Sequence, residues 1–152
     1  MSVLELVPQN WASWRFSVLE GGKSVAEIDM SRWREKGAFV VGGTGYNAYR
    51  EGVVSGAFIL ELDGARVATA EKPNAMARRF SVEHAGRSYT WQGQVLKRSF
   101  VLEENDRAIG SLIPEGILTR KATAEFPYDL PLAVRVFMIW LALIMWKRQA
   151  DS

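Results

Sequence analysis

Residues 130–146 read LPLAVRVFMIWLALIMW, a run with one charge, Arg135, and apolar side chains on every face of the helix it would form. A helix of that kind must be enclosed, by protein or by lipid. Asp129 is placed to cap its start, and Pro131 falls in the first turn, where a missing N–H costs nothing. Lys147 and Arg148 close the end at which the helix dipole favours cations. At about 1.5 Å per residue the run spans roughly 25 Å, short of the ~30 Å hydrocarbon core of a bilayer. Arg135 lies well inside the run and Trp140 sits in its middle instead of in an interfacial belt, so both point to protein as the surrounding medium. The competing expectation is a tail-anchored protein with 130–146 in the bilayer. There the gain from strong apolar residues, about −0.5 kcal/mol each, is largely offset by ~2.5 to 3.5 kcal/mol for a central arginine.

Upstream of this run the chain reads as short alternating segments broken by Gly, Asp and Asn, the pattern of an antiparallel all-β domain. Four segments share one frame, beginning at Phe16 (FSVLEGGKSVAEI), Phe58 (FILELDGARVATA), Phe80 (FSVEHAGRSYTWQ) and Phe100 (FVLEENDRAIGSL). Counting each Phe as zero, a turn dipeptide always occupies the fifth and sixth positions: Gly21-Gly22, Asp63-Gly64, Ala85-Gly86 and Asn105-Asp106. The ninth is always a large β-former, Val25, Val67, Tyr89 or Ile109. The frame predicts four hairpins with two-residue loops. In such a hairpin the second position faces the ninth, pairing Val18 with Val25, Leu60 with Val67, Val82 with Tyr89 and Leu102 with Ile109. Each Phe joins that apolar face. The other face, carrying Ser17, Ser24, Ala26, Glu61, Arg66 and Ala68, suits water.

Hairpins with one apolar face and a helix apolar all round bury one another if the sheet closes with the helix on its axis. The expected fold is mainly β: an antiparallel closed barrel of about 12 strands, built from hairpins and enclosing the hydrophobic C-terminal α-helix. Extended segments at 38–41, 46–50 and 120–125 supplement the hairpin strands. Within 31–54, residues 31–36 read as either a helical turn or a bulged strand, and VGGTG at 41–45 as a flexible loop. The expected division is an N-terminal extension, 1–13, and a single barrel domain, 14–148, with its central helix at 130–148.

The chain has 152 residues, enough for one sizeable core, with 19 basic against 17 acidic side chains. That small excess is weak evidence for an anionic partner. With no cysteine and one histidine, disulfides, thiolate nucleophiles and zinc chemistry are excluded or disfavoured, and no cofactor or metal is expected. The start, MSVLELVPQN, lacks a basic stretch followed by an apolar one. No signal peptide is expected, and the expected location is the cytoplasm, with peripheral placement at a membrane.

Motifs that could carry chemistry have plainer readings. Gly22-Lys23-Ser24 resembles the end of a phosphate-binding loop, but that motif needs a glycine where Ser17 stands. Residues 41–45 lack the dinucleotide fingerprint and have no βαβ unit around them. His84 is expected at a surface turn opposite Arg87. The carboxylates near the turns could suggest glycoside chemistry, yet Glu20 with Lys23, Glu61 with Arg66 and Glu104 with Arg107 read as cross-strand ion pairs. Most of the six tryptophans, Trp91 and Trp140 above all, read as core. No catalytic constellation emerges, so the chain reads as a non-enzyme. The strongest binding candidate is the doubled basic pair Arg78, Arg79 with Lys97, Arg98. Both pairs fall just before a repeat Phe, at the barrel end opposite the regular turns, where they could hold an anionic headgroup or phosphate ester, with Arg120 and Lys121 extending the patch. An anionic lipid, a membrane surface or an acidic protein partner is the expected ligand. Nucleic acid is disfavoured because aromatic interleaving is absent there.

The phrases FILELDGARVA and FVLEENDRAIGSL and the ending DLPLAVRVFMIWLALIMWKR resemble the tubby C-terminal-like superfamily, which includes tubby domains, phospholipid scramblases and the plant LURP-one-related proteins. The resemblance covers roughly 14–148. It implies a twelve-stranded barrel around a hydrophobic C-terminal helix and no enzymatic active site. The chain departs from the scramblases in lacking a cysteine-rich lipidated segment and an acidic calcium loop before the helix, so the resemblance does not imply scrambling.

Overall fold

The computed structural model describes residues 1–31, 33–52, 56–94, 96–117 and 119–151. Among them run twelve strands and one helix. The strands are β1 (Ser2–Pro8), β2 (Arg15–Glu20), β3 (Lys23–Met30), β4 (Lys36–Val41), β5 (Thr44–Arg50) and β6 (Phe58–Leu62), then β7 (Ala65–Glu71), β8 (Arg79–His84), β9 (Arg87–Gly93), β10 (Phe100–Glu104), β11 (Arg107–Pro114) and β12 (Ala122–Phe126). The helix is α1 (Leu132–Asp151). Each strand pairs antiparallel with the next in sequence, and β1 pairs with β12, so the sheet closes into an up-and-down barrel. Closure leaves no sheet edge exposed among the described residues.

The turn chemistry of the repeats is realised in full. Both central residues of each two-residue loop have positive φ: Gly21 and Gly22, Asp63 and Gly64, Ala85 and Gly86, Asn105 and Asp106. A fifth loop behaves the same way, because Gly42 and Gly43 at φ 56° and 82° join β4 to β5. Residues 41–45 are thus a tight hairpin and not the flexible loop expected. Residues 33–35 form the connection into β4, and Arg32, within the ambiguous segment 31–36, lies outside the described residues.

The cross-strand register departs from the simple frame in three of the four repeats. Val82 does face Tyr89. Elsewhere a β-bulge absorbs the ninth residue: Val18 faces Ala26, Leu60 faces Ala68 and Leu102 faces Gly110. Each bulge flips the second strand, so Ala26 and Ala68, expected in water, are buried, while Val25, Val67 and Ile109 are only partly so. The physical reason lies in the helix. Small residues leave room for α1 inside the wall, and bulges supply the extra twist that closure requires.

Two expected boundaries also change. Residues 1–13 are not an extension, because β1 closes the barrel between β12 and β2. The helix occupies Leu132–Asp151 instead of 130–148, and at its start Val134 N and Arg135 N both donate to the Pro131 carbonyl. Asp129 does not cap it, since its carboxylate is drawn to Arg87 Nη1 at 2.8 Å.

All residues from Ala133 to Ile144, and Trp146, are buried. Trp140 meets Phe39 and Phe58 edge-on at 6.0 and 5.8 Å and stacks on Phe137. From the wall, Trp91 Nε1 donates to the helix carbonyl of Met138 at 2.9 Å. Each large apolar side chain enclosed in this way contributes about 1.5–3 kcal/mol. The apolar run is therefore sheathed by strands, and no helix among the described residues is long and apolar enough to cross a membrane. Arg135 is buried with it, donating from Nε to the Leu130 carbonyl and from Nη1 to Ser2 Oγ, which in turn donates to Glu20.

Candidate functional site

An up-and-down barrel sorts its connections. The two-residue turns and the entry to α1 occupy one end, and the longer connections, with the end of α1, occupy the other. At that open end arginines link one connection to the next. Arg78, before β8, donates to the Gln94 carbonyl after β9 at 3.3 Å. Arg98, before β10, donates to the Thr119 carbonyl before β12. Arg120 donates to Ser13 and Asn10 carbonyls before β2. Guanidinium groups suit this work because their several fixed donors satisfy carbonyls that a loop leaves open.

The expected basic patch is thus only partly assembled. Arg78, Lys97 and Arg98 line one hollow with Met145 and Trp146, but its volume is about 20 Å³, too small for a headgroup. Arg98 stacks over the Trp146 ring at 4.6 Å, and Trp146 Nε1 donates back to the Arg98 carbonyl at 2.9 Å. Burial lowers the Arg98 guanidinium pKa, and that of Arg120, which covers Trp14 at 5.2 Å. Both are fastenings of the rim. Arg79 and Lys97 stand exposed, with Arg79 on the outer face of β8 and not in the hollow.

A larger cavity, about 340 Å³, opens at the same end and was not anticipated. Its wall comprises Arg50 from β5, Phe58 from β6, Arg148 from α1, Glu35 before β4, and residues 72–75 after β7. Glu35 is gripped by Arg148, whose Nη2 lies 2.6 Å from Oε1 and whose Nε bonds Oε2, while Arg50 Nη1 is 3.3 Å from Oε1. Burial raises the Glu35 carboxyl, but the hydrogen bonds and charge of Arg148, with the charges of Arg50 and Lys72, outweigh it and hold the group below its ordinary value. Lys72 Nζ donates to the Ala75 carbonyl at 2.9 Å, touches Met145 Sδ at 3.8 Å and lies over the Phe80 ring. Burial first, then the repulsion of Arg148 and Arg50, push its ammonium down to about 8. Three cations and one carboxylate line the cavity, so its lining carries an excess of positive charge. Their sequence separation hid them, because no local motif joins positions 35, 50, 72 and 148.

The open end carries a second feature. Five of its connections each project one large apolar side chain: Trp11, Trp33, Met76, Leu96 and Ile117 are between 87% and 97% exposed. Two of the six tryptophans are therefore outside the core. The two-residue turns at the other end carry no such residue. The described residues of the open-end segments 9–14, 31–36, 50–57, 71–79, 93–99, 114–121 and 147–151 hold twelve Lys and Arg against five Asp and Glu. With a net charge of +2 for the whole chain, the remainder is acidic, so the barrel is electrically polar along its axis.

Other sequence candidates resolve into structural roles. Glu20 faces Lys23, Glu61 faces Arg66 and Glu104 faces Arg107 as expected, but the carboxylates bond elsewhere: Glu20 accepts from Ser2, Glu61 from Tyr49 at 2.5 Å, and Glu104 binds Arg87. Arg66 reaches Glu51 instead. His84 faces Arg87 as expected, and its Nδ1 meets the Val67 carbonyl at 2.8 Å. Among the described residues no cluster of His, Asp or Glu could hold a metal ion. Compared with protein-family models, with curated proteins and with solved structures, the chain matches none.

Proposed function

We propose that this protein is a non-catalytic, tubby-like binding domain that docks the open end of its barrel onto a membrane surface rich in anionic lipid. The observation that carries this reading is the coincidence, at the open end, of five highly exposed apolar tips with an excess of cations. Anionic headgroups attract Lys and Arg by about 1 kcal/mol each near the surface. An apolar tip entering the acyl boundary adds about 1.5–3 kcal/mol if fully buried there. Neither term needs a preformed pocket. A barrel of twelve strands around a C-terminal helix is the fold that the tubby-like resemblance implies, and on that agreement of fold the tubby-like part of the reading rests.

Sedimentation with vesicles tests the reading. Wild-type protein should pellet with vesicles of phosphatidylcholine and phosphatidylserine, and remain in solution with phosphatidylcholine alone. Arg79→Glu with Lys97→Glu should weaken pelleting by removing attraction, and Trp11→Ser with Leu96→Ser by removing insertion, neither pair altering the melting temperature appreciably. Equal pelleting of wild type and the combined variant, or none by wild type, would remove the proposal.

A further inference from the structure

We infer that the cavity formed by Glu35, Arg50, Lys72 and Arg148 is a binding site for a phosphate monoester, whose dianion fits between Lys72 and the two arginines with Phe58 as its floor. This deepens the lipid-surface reading, and rests on it only where the phosphate belongs to a lipid. The cavity itself does not involve the exposed loop tips.

Three observations converge. The volume, about 340 Å³, falls in the lower part of the range for small-molecule sites, which begins near ~300 Å³. The lining carries three cations, Arg50, Lys72 and Arg148, against one carboxylate, Glu35, which bonds Arg148 and lies 3.3 Å from Arg50. Finally, the cations are held in place before any ligand arrives. Glu35 clamps Arg148, the Arg148 guanidinium lies over the Phe58 ring, and the Ala75 carbonyl and Phe80 ring orient Lys72. Pre-placed donors bind a dianion without further ordering cost. A carboxylate would supply less charge.

Binding couples to a proton. The groups facing Lys72 are Glu35 before β4, Arg50 of β5 and Arg148 of α1. At a pH of about 8 the amine is half deprotonated in the unliganded protein. A dianion beside it favours the ammonium, so each anion bound should draw in up to about half a proton at that pH.

Calorimetric titration of the full chain with glycerol 3-phosphate, in two buffers of different ionisation enthalpy, reads both quantities. The expected result is saturable binding with proton uptake near pH 8. Lys72→Met should weaken binding roughly 10- to 100-fold and abolish uptake, the loss expected for a charged hydrogen-bonding partner. Lys72→Arg keeps the charge but cannot deprotonate, so it should bind without uptake. Lys23→Glu, at the opposite end of the barrel, should bind like wild type. Phosphatidic acid vesicles separate the sources: displacement of the protein from them by glycerol 3-phosphate identifies a lipid headgroup, and binding of the soluble ester without displacement identifies a free metabolite phosphate. No saturable heat with glycerol 3-phosphate, or equal affinity and uptake in Lys72→Met, would overturn the inference. Either result would leave pelleting on phosphatidylserine vesicles, which depends on the loop tips, as a separate outcome.

Discussion

Gly37 on β4 approaches Trp140 on α1 so closely that a Cβ at residue 37 would stand 2.7 Å from the indole Nε1 and 3.1 Å from Cδ1. The indole cannot retreat, because Phe39, Phe58 and Phe137 enclose it. Gly37→Ala should therefore destabilise the protein by about 1–3 kcal/mol, the usual cost of overfilling a packed core. Trp140→Phe removes the atom that would be struck. Denaturant melts of both single variants and the double variant should give a non-additive cycle, with the double variant more stable than the two losses predict by about 0.5–3 kcal/mol. Additive losses would show that the helix tolerates the methyl group at this crossing.

Ala85 is the one first turn position of the five hairpins occupied by an ordinary side chain with no polar group. Its φ is 49°, the conformation that Gly21, Gly42, Asp63 and Asn105 adopt at the equivalent places. A left-handed conformation costs an ordinary L-residue roughly 1–2 kcal/mol, and Asn tolerates it better through local hydrogen bonding. Ala85→Asn should raise stability by about 0.5–1 kcal/mol, seen as a higher denaturant midpoint with an unchanged slope. A lower midpoint would contradict this account of the turn.

These two residues mark the boundary of what was legible in the chain. Turn dipeptides and the apolar run are local signals, so the hairpins, the barrel and the enclosed helix could be read from them. Gly37 could not, because its role depends on Trp140, more than a hundred residues away. The bulges at Val25, Val67 and Ile109 were hidden for a related reason. A two-residue period extrapolates one strand smoothly, whereas the bulge is imposed by the helix that the wall must fit around. The closing role of β1 was hidden because one of its two partners, β12, lies at the other end of the chain. The basic patch was legible as charge but not as geometry, since hydrogen bonding to backbone carbonyls consumes donors of Arg98 and Arg120 that a sequence shows only as positive.

Ser2 links the buried Arg135 to Glu20, accepting from Nη1 at 2.9 Å and donating to Oε2 at 2.7 Å. It is fully buried, so no solvent stands ready to replace it. Burial is the first cause depressing the Arg135 guanidinium, with Glu20 and Tyr128 opposing it. Ser2→Ala leaves one guanidinium donor unmet and parts it from the carboxylate, and should cost about 1–3 kcal/mol. In Ser2→Ala combined with Arg135→Met the donor is gone too, so the serine's further loss should shrink. A Ser2→Ala loss of the same size in both backgrounds would dissociate Ser2 from Arg135.

Lys72 makes stability depend on pH in a direction set by its depressed pKa. Burial first, and then the charges of Arg148 and Arg50 against the opposing pull of Glu35, bring the folded amine down to about 8 from 10.5. Below pH 8 both folded and unfolded chains hold the proton, and the folded state bears the full penalty of keeping a cation there. Between 8 and 10.5 the unfolded chain still binds the proton that the folded chain has released, so stability attributable to Lys72 rises with pH. Lys72→Met has no such penalty. The variant should be at least as stable as wild type near neutrality, and wild type should gain on it steadily as pH climbs through the window. Paired denaturant melts from pH 7 to 10.5 measure the gap, and the subtraction removes the titration of tyrosines and other lysines common to both chains. A gap that stays constant over the window would mean that the cavity holds Lys72 as water would, and would take away the field on which the phosphate site depends.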